Sequence, residues 1–458
     1  MNAPVSETAY ISDPAVYFEN LKDLPYPFLL ESSFRDGGMG RYSFAGASPF
    51  LVFSSKGDRI LLRGRNISQK LRGNPFEVLK KLLEKYAPAA RCAPKTRYPF
   101  TGGAVGYFGY ELGGFFEDIP KNKTDDIGAP DCFMCFYDSV AATDHAAKKS
   151  HIISRCLKEG AFEIMERAAL NPRRNAPRSH SKPQLHARFS SNFTKSAYLK
   201  AVKKIKEYIA AGDTYQVNLS QRFSSRLAKP PFELYKKLKT INPSPFGCFL
   251  DFGRMQVVSS SPERFLKIAD GIVETRPIKG TRPRGRTKKE DRRLASELLK
   301  SGKDLAEHIM IVDLERNDLG RVCEFGTVRV VEKNVLEKYA TVFHLVSTIR
   351  GKLRKNAGVF DCLKACFPGG SITGAPKIRS MEIINELEPG ARSVYTGAIG
   401  YIGFNGNADL NIAIRTIICK NGKAYFSAGG GIVADSDPLA EYEESLLKGK
   451  ALMEALNA

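Results

Sequence analysis

Apolar side chains recur at helical spacing in residues 198–213, YLKAVKKIKEYIAAGD. Val202, Ile205 and Ile209 are three and four residues apart, so they would lie on one face of a helix. Gly212 stands where a glycine commonly follows the last helical turn. The pattern predicts an amphipathic helix that ends just before this glycine.

Strand-like stretches separated by glycines dominate the N-terminal part of the chain. They are YPFLLESS at 26–33, RYSFAGASP at 41–49 and PFTGGAVGYFGYELG at 99–113. Further along, antiparallel hairpins alternate with helices, in place of the regular strand–helix–strand units of a parallel sheet. This order of elements predicts an α+β layered fold.

Residues 167–194 are rich in Pro, Ser, Asn and Arg and have little apolar periodicity. Such a composition is typical of an exposed connection between two parts of a protein. The sequence therefore predicts an N-terminal region over 1–166, a linker over 167–194 and a larger region over 195–458.

A hairpin is predicted in residues 407–431, because Asn421-Gly422 is a strong type I′ turn signal between two strand-like runs. One face of its first strand holds four aliphatic residues: Leu410, Ile412, Ile414 and Ile418. Arg415 would lie on the other face of that strand. The second strand ends in Gly429, Gly430 and Gly431, whose backbone amides can approach an anion closely. A plain glycine turn and a surface arginine explain the same residues.

A second hairpin is predicted around Asp270-Gly271, another type I′ signal. In its ideal register Glu263 faces residue 278, so Glu263 and Lys279 share one strand end but lie on opposite faces. A β-bulge or a one-residue slip would bring the two side chains together. The sequence leaves this open, and a solvated lysine at a strand end is the ordinary interpretation of Lys279.

Carboxylates cluster on two predicted helices. Asp304 and Glu307 are three residues apart, and therefore neighbours, in the helical stretch GKDLAEHIMIVDLERNDLG. Near the C-terminus three charged residues fall on one stripe of a helix: Glu441, Glu444 and Lys448. Clustered carboxylates repel each other unless a cation lies between them, and an all-oxygen ligand set suits Mg²⁺. The alternative is a pair of solvated charged faces.

The composition is that of a globular protein: 458 residues, 43% hydrophobic and 26% charged. The formal charge is 70 − 49 = +21, with denser basic patches at 167–188 and 276–303. A basic excess can serve nucleic acid, an anionic membrane or a small anionic substrate. Neither patch interleaves aromatic residues regularly, which disfavours a nucleic-acid-binding protein.

The nine cysteines are too sparse for a disulfide scaffold, and their number is odd. Cys132 and Cys135 have the spacing of a metal-binding pair, but no second pair follows at zinc spacing, so a half-buried strand with reduced thiols is predicted. The N-terminus lacks the features of a signal peptide, and no run of about 18 apolar residues occurs. We expect a cytosolic protein without a membrane span.

Taken together, the ordered motifs of residues 195–458 resemble those of the chorismate-utilising enzymes. The resemblance is closest to the aminodeoxychorismate synthase component I group, the sister of the anthranilate synthase component I group. The motifs are, in order, GDTYQVNLSQRF, SSSPERF, ETRPIKGTRPRG, AEHIMIVDLERNDLGR, FHLVSTIRG, FPGGSITGAPK, YTGAIGYIG, AIRT, AGGGIV and AEYEESLLKGKA. The stretches LLESS and TGGAVGYFGYELG look like the N-terminal region of the same family.

The resemblance implies two layered, mostly antiparallel β-sheets with helices packed outside, and an Mg²⁺-dependent active site near the centre. It also implies roles for individual residues. The implied metal ligands are Glu307 and Glu444, with Glu441 and Asp304 beside them. The residues implied to bind the substrate's carboxylates are Arg415, Tyr395, Lys448 and, through their amides, Gly429, Gly430 and Gly431. The residues implied to line the reacting ring are His344 and Thr373.

Lys279 distinguishes the two groups, because the resemblance implies alanine at this position in anthranilate synthases and lysine in aminodeoxychorismate synthases. Lys279 is then expected to add covalently to carbon 2 of chorismate, with Glu263 as the general acid for the hydroxyl that leaves carbon 4. The product would serve 4-aminobenzoate and folate biosynthesis. Anthranilate synthase component I and isochorismate or salicylate synthase are the alternatives.

The sequence contains no G-x-C-x-G-type amidotransferase nucleophile followed by a histidine. A separate glutamine amidotransferase subunit that delivers ammonia is therefore the implied partner. Whether tryptophan binds the N-terminal region stays open.

Overall fold

The computed structural model describes residues 4–34, 39–87, 98–120, 123–170, 187–340 and 342–457. The described strands form two sheets of twelve strands each, and all pairings between named strands are antiparallel. Helices pack on the outer side of each sheet, so the predicted α+β architecture of two layered antiparallel sheets is confirmed.

The first sheet contains, in spatial order, β1 (Val5–Thr8), β10 (Lys149–Ser154), β9 (Ser139–Asp144), β3 (Tyr42–Gly46), β2 (Phe28–Glu31), β13 (Phe246–Asp251), β14 (Met255–Ser261), β23 (Thr416–Lys420), β24 (Lys423–Ile432), β12 (Gln216–Arg226) and β11 (Ser190–Ser191), with β20 (Gly374–Ala375) paired to β12.

The second sheet contains, in spatial order, β17 (Ile278–Pro283), β19 (Val342–Lys352), β16 (Ile272–Arg276), β15 (Arg264–Ala269), β22 (Ala408–Ile412), β21 (Ala398–Gly403), β7 (Gly103–Phe108), β8 (Cys132–Tyr137), β4 (Leu51–Lys56), β5 (Arg59–Gly64) and β6 (Ile67–Arg72), with β18 (Arg329–Lys338) paired to β19.

The α-helices are α1 (Ala15–Leu21), α2 (Pro75–Tyr86), α3 (Ala161–Leu170), α4 (Lys195–Ala210), α5 (Pro231–Ile241), α6 (Lys288–Lys300), α7 (Gly302–Gly320), α8 (Val359–Cys366), α9 (Lys377–Leu387) and α10 (Pro438–Asn457). Two short 3₁₀ helices cover Tyr110–Phe115 and Gly370–Ile372. Among the described residues, no helix is both long and apolar enough to cross a membrane.

The three largest hydrophobic cores of the described residues lie between the sheets and on their outer sides. Between the sheets, Phe28 and Leu250 of the first sheet pack with Tyr107, Ile399 and Tyr401 of the second. A second core joins the second sheet to α2, α7 and α8, and a third joins the first sheet to α1, α5 and α10. Because apolar faces on both sides of each sheet are covered, the strands are buried more completely than a one-sided alternation would allow.

The local predictions are largely confirmed. The helix predicted over 198–213 is α4, and Gly212 follows it with φ +83°. Both type I′ turns are present, since Asp270 and Gly271 have φ of 51° and 76°, and Asn421 and Gly422 have φ of 52° and 72°.

The strand predicted at Cys132 and Cys135 is present as β8 with both thiols unpaired, but the prediction that it is half-buried is wrong. The two thiols are nearly fully buried, at 1% and 0% exposure, because the strand lies inside the second sheet.

The N-terminal region contributes strands to both sheets, where β2 pairs with β13 and β7 pairs with β21. Of the predicted linker, residues 171–186 lie outside the described residues. Its flanks include the last turn of α3 and the short strand β11.

Candidate active site

Two segments of chain cross from one sheet to the other side by side. The first passes from β14 to β15 through Pro262 and Glu263, and the second passes from β22 to β23 through residues 413–415. The Ile412 amide donates to the Glu263 carbonyl at 3.0 Å, and the Ser260 amide donates to the Arg415 carbonyl at 3.1 Å. Glu263 and Arg415 therefore lie in two neighbouring segments that connect one sheet to the other.

The position of Arg415 corrects a prediction. The residues expected to form one strand from 410 to 418 are split between β22 and β23, and Arg415 lies between them with a left-handed φ of 53°. The alternation of apolar residues continues through the break because both strands are covered on both faces. The pattern therefore could not reveal the change of sheet.

Arg415 is suited to bind an anion. Its guanidinium is only partly exposed, and burial lowers its pKa, although Tyr395 and Glu444 oppose that shift. In the described part of the chain, no carboxylate lies within ion-pair distance of Arg415. A partly buried cation without a directly paired carboxylate is less stable than a paired one, and a carboxylate of a bound substrate would supply the pair.

Lys279 lies on β17 beside a β-bulge. It pairs with Leu345, whereas Thr281 pairs with His344, so Gly280 is an extra residue, and its φ is 76°. The Nζ of Lys279 is 3.5 Å from Oε2 of Glu307. Burial lowers the pKa of Lys279, and Glu307 opposes this shift. The bulge thus turns the amine into the site instead of towards solvent.

A glycine lies opposite this amine. A Cβ at Gly431 would be 2.8 Å from Nζ of Lys279. Gly429, Gly430 and Gly431 are inside β24, which continues to Ile432, and they pair with β12. The β23 strand pairs with β24 only as far as Phe426, so the edge that carries the glycines is open on that side. Alternate amides there are free to meet an anion.

Glu263 shares the site with Lys279. The predicted register holds from Ala269 to Lys267 and then shifts by one residue before Arg264, which is one of the two arrangements expected to bring the residues together. Glu263 is 5% exposed, and burial raises its pKa to about 7. Its carboxyl accepts hydrogen bonds from the Ser371 hydroxyl, at 2.6 Å, and from the Ile278 amide. A carboxyl with such a pKa can donate a proton near neutral pH.

The carboxylates of α10 gather over Gly430. A Cβ at that glycine would be 3.2 Å from Oε2 of Glu441 and 3.6 Å from Oε1 of Glu444. Lys448 lies 2.6 Å from Glu444 and lowers the pKa of that carboxyl. Burial raises the pKa of Glu441, which also accepts a hydrogen bond from Ser436. The predicted stripe of three charged residues therefore faces the site.

The carboxylates of α7 have different partners. Glu307 lies between two ammonium groups, with Nζ of Lys279 at 3.5 Å and Nζ of Lys303 at 4.0 Å. Asp304 is held by Arg282 at 2.7 Å. Asp304 also lies beside Gly280, the neighbour of Lys279, since a Cβ at that glycine would be 3.2 Å from Oδ1 of Asp304.

The carboxylates near Lys279 offer oxygen donors of the type that Mg²⁺ prefers. Glu307 on α7 and Glu444 on α10 both act electrostatically on this lysine, so the two helices present their carboxylates to one region. In the ranges the structure describes, no three acidic, His or Cys side chains are already close enough together to hold a metal. The assignment of Glu307, Glu444 and Glu441 as Mg²⁺ ligands, with Asp304 beside them, therefore stays a prediction that rests on their oxygen donors.

Glu307→Gln and Glu444→Gln are each expected to weaken Mg²⁺ binding, because each removes one ligand charge. Calorimetric titration of the purified protein with Mg²⁺ measures the change. Glu443→Gln on the exposed side of α10 is the matched control. A variant whose Mg²⁺ affinity equals that of the unchanged protein would exclude its residue as a ligand.

The remaining predicted residues differ in how closely they approach the site. His344 is buried and accepts or donates a 3.0 Å hydrogen bond with Thr281, and burial lowers its pKa to about 3, with Arg415 adding to the effect. Tyr395 is 7% exposed, and burial raises its pKa to about 12. Thr373 is fully buried and donates to the Gly369 carbonyl at 2.9 Å. His344 is therefore neutral, and Thr373 is engaged with its own turn.

Gln216, the first residue of β12, also lies in the site, although no sequence pattern indicated it. It is fully buried, and its Nε2 would lie 3.1 Å from a Cβ at Gly431. Neither polar atom of its side chain has a hydrogen-bond partner among the described residues. The residue lies in the GDTYQVNLSQRF motif, but nothing in that pattern marks it as buried beside Lys279.

A buried ion pair behind the site was also missed. Arg392 binds Glu388 at 2.7 Å and donates to the carbonyls of Asn218 and Ile372. Its guanidinium lies 5.8 Å from the ring centre of Tyr395. This pair fixes the segment that carries Tyr395, and a sequence with many Glu and Arg residues gives no sign of which two meet.

Comparison with known proteins agrees with this geometry. Residues 48–454 match the family model described as chorismate binding enzyme. The chain is 43% identical to anthranilate synthase component 1 of Acetivibrio thermocellus, over 99% of this chain and 95% of that protein. It is 38% identical to aminodeoxychorismate synthase component 1 of Bacillus subtilis, over 91% of this chain and 89% of that protein. The crystal structure of anthranilate synthase component I from Streptococcus pneumoniae TIGR4 has a TM-score of 0.80 and 34% identity, and covers 92% of this chain and 94% of that one.

The fold and the site therefore define the class of protein, which is an enzyme that uses chorismate. The chain belongs to the chorismate-binding enzyme family.

Proposed function

We propose that this protein is an aminodeoxychorismate synthase component I, which converts chorismate and ammonia to 4-amino-4-deoxychorismate. The observation that carries the proposal is Lys279, whose amine lies between Glu307 and Gly431 in the candidate site. An anthranilate synthase is expected to have alanine there, which leaves room for ammonia to reach carbon 2. A lysine fills that room.

In the first chemical step, the neutral amine of Lys279 forms a bond to carbon 2 of chorismate. The ring double bonds shift, the bond between carbon 4 and its hydroxyl breaks, and the Glu263 carboxyl gives its proton to the leaving oxygen, which departs as water. A hydroxyl leaves slowly unless it is protonated, so a buried carboxyl with a raised pKa supports this assignment.

In the second step, ammonia forms a bond to carbon 4, the double bonds shift back and the bond between carbon 2 and Lys279 breaks. The amine leaves with its electron pair, and the extra proton on the new amino group returns to Glu263. Covalent catalysis of this kind divides one difficult displacement into two easier ones. When bound, Mg²⁺ would supply positive charge for a carboxylate of the substrate.

Two cationic side chains of this chain are available to bind the substrate's carboxylates. Arg415 has the open edge of β24 beside it, and Lys448 lies across Gly430. His344, Thr373 and Tyr395 would surround the ring. Every residue given a role belongs to 195–458, so we assign the chorismate-binding catalytic region to that range and propose 1–166 as the N-terminal region of the synthase, with 167–194 as the linker. The product is proposed to serve 4-aminobenzoate and folate biosynthesis in the cytoplasm.

Product analysis with chorismate, Mg²⁺ and an ammonium salt tests the proposal. Chromatography distinguishes aminodeoxychorismate, anthranilate and isochorismate. The proposal requires aminodeoxychorismate as the main product, and it is wrong if anthranilate predominates.

Anthranilate synthase component I is the second candidate. The 43% identity to an anthranilate synthase component 1 favours it over the 38% identity to an aminodeoxychorismate synthase component 1. Overall identity reports mainly the shared fold, whereas one residue beside the reacting carbon decides which atom is attacked. We therefore give Lys279 more weight than the difference of five percentage points.

Glutamine is expected to serve as the nitrogen source only after a glutamine amidotransferase subunit is added. The reason is the lack of a recognisable glutaminase nucleophile in the sequence. Release of glutamate from glutamine by the purified chain, measured without and with such a subunit, checks this expectation. Glutamate release by the chain alone would contradict it.

A further inference from the structure

Glu315 is a buried carboxyl that has no role in the proposed reaction. It projects from α7, is 3% exposed and accepts a hydrogen bond from the Gly370 amide at 3.2 Å. Its second oxygen accepts a hydrogen bond from the Thr275 hydroxyl at 3.4 Å. Both donors are neutral groups, and no cation binds Glu315 directly among the residues described.

The turn that Glu315 holds is the one that carries Ser371, and Ser371 donates to Glu263 at 2.6 Å. Gly370 packs tightly on α7, since a Cβ there would be 2.6 Å from Leu314 and 3.3 Å from Oε1 of Glu315. A continuous path of contacts therefore leads from Glu315 through Gly370 and Ser371 to Glu263.

The charges around Glu315 favour its protonated form. The cation that acts on Glu315 is Lys377, at the start of α9, which is already bound to Asp318 at 2.5 Å and to the Cys366 carbonyl at 2.9 Å. The groups that face Glu315 are thus Asp318 from its own helix, Lys377 from α9, the Cys366 thiol from α8 and Glu263 from the crossing between the sheets. Burial raises the pKa of Glu315, and Asp318 adds to the shift.

From this arrangement we propose that Glu315 is a positioning residue, which in its protonated form fixes the Gly370–Ser371 turn and thereby holds the Glu263 carboxyl in place for proton transfer. This inference rests on the proposed function, because it gives Glu263 the role of general acid. Glu315 itself does not touch the substrate.

Four variants test the inference: Glu315→Ala, Ser371→Ala, the double variant and Glu315→Gln. Glu315→Ala and Ser371→Ala should each lower kcat by on the order of 10- to 100-fold, as small misplacements of a catalytic group do. The KM for chorismate should stay within about twofold, because substrate binding is untouched. The double variant should be no slower than the slower single variant, since both changes break one path.

Glu315→Gln should retain most of the activity. The glutamine carbonyl can accept from Gly370. Its amide can donate to the Thr275 hydroxyl once that hydroxyl has rotated, since Thr275 donates to Glu315 in the unchanged protein. Asp251→Asn is the matched control. Burial also raises the pKa of Asp251, but this residue is at the β13–β14 turn, where it binds Gly253 and Gln256. Its variant should behave as the unchanged protein does.

The pH profile separates this role from a loss of stability. The Ser371 hydrogen bond lowers the pKa of Glu263, so its loss should move the alkaline limb of kcat to higher pH in both alanine variants. Additive effects in the double variant, an unshifted profile, or a Glu315→Gln variant as slow as Glu315→Ala would overturn the inference. Failure of the unchanged protein to consume chorismate would instead overturn the proposed function.

Discussion

Lys279→Ala is expected to reduce aminodeoxychorismate formation by on the order of a thousandfold or more, as removal of a nucleophile usually does. The change removes the amine that would bond to carbon 2, and it also leaves a gap next to Gly431. Ammonia or water can enter that gap, so traces of anthranilate or isochorismate should accompany the loss. Quantitative chromatography of the products measures both effects.

The matched control for this variant is Lys289→Ala, which removes an exposed lysine of α6 and should leave the products unchanged. The unchanged protein, given chorismate without ammonia, should show a mass adduct on the peptide that contains Lys279. Aminodeoxychorismate formation at the unchanged rate by Lys279→Ala would falsify the assignment of the nucleophile.

Glu263→Gln is expected to lower kcat by about 10²- to 10⁴-fold, the range typical of a lost general acid. The amide keeps the shape and can still accept hydrogen bonds, but it has no proton to give. Because burial raises the pKa of Glu263 to about 7, the unchanged protein should lose activity as the pH rises through that value and Glu263 ionises. The residual activity of the variant should lack this alkaline limb.

Steady-state rates between pH 6 and pH 9 measure the effect of Glu263→Gln on both kcat and the alkaline limb. Glu297→Gln, a change on the exposed helix α6, is the control for an amide replacement and should retain the limb. A Glu263→Gln variant that keeps the full rate and the same pH profile would show that another group protonates the leaving hydroxyl.

The parts of the fold that depend on local rules could be predicted from the sequence. The type I′ turns at Asp270 and Asn421 require residues that tolerate positive φ, and the dipeptides Asp-Gly and Asn-Gly supply them. Helix α4 shows a helical spacing of apolar residues that can be seen within its own sequence. The layered arrangement follows from the order of these elements, together with the family resemblance.

The geometry of the site depends on contacts between distant parts of the chain, which sequence patterns do not record. Arg415 has a left-handed conformation that non-glycine residues rarely adopt, so no pattern placed the change of sheet there. The bulge at Gly280 turns Lys279 inwards, although glycine occurs in many loops. Gln216 is important only because Lys279 and Gly431 lie next to it in space, although both are more than 60 residues away along the chain.

The pairing of β2 with β13 and of β7 with β21 has a consequence for how the protein can be divided. Each sheet is a block of five N-terminal strands joined to a C-terminal block along a single seam, and the core between the sheets contains residues from both blocks. A cut of the chain between 170 and 187 would therefore yield two fragments that each expose two unpaired strand edges. Such fragments should be insoluble alone but reassemble when refolded together, since the two seams and the shared core re-form without a covalent connection. Chorismate turnover would then report reassembly, because the catalytic fragment needs the N-terminal strands to complete its sheets.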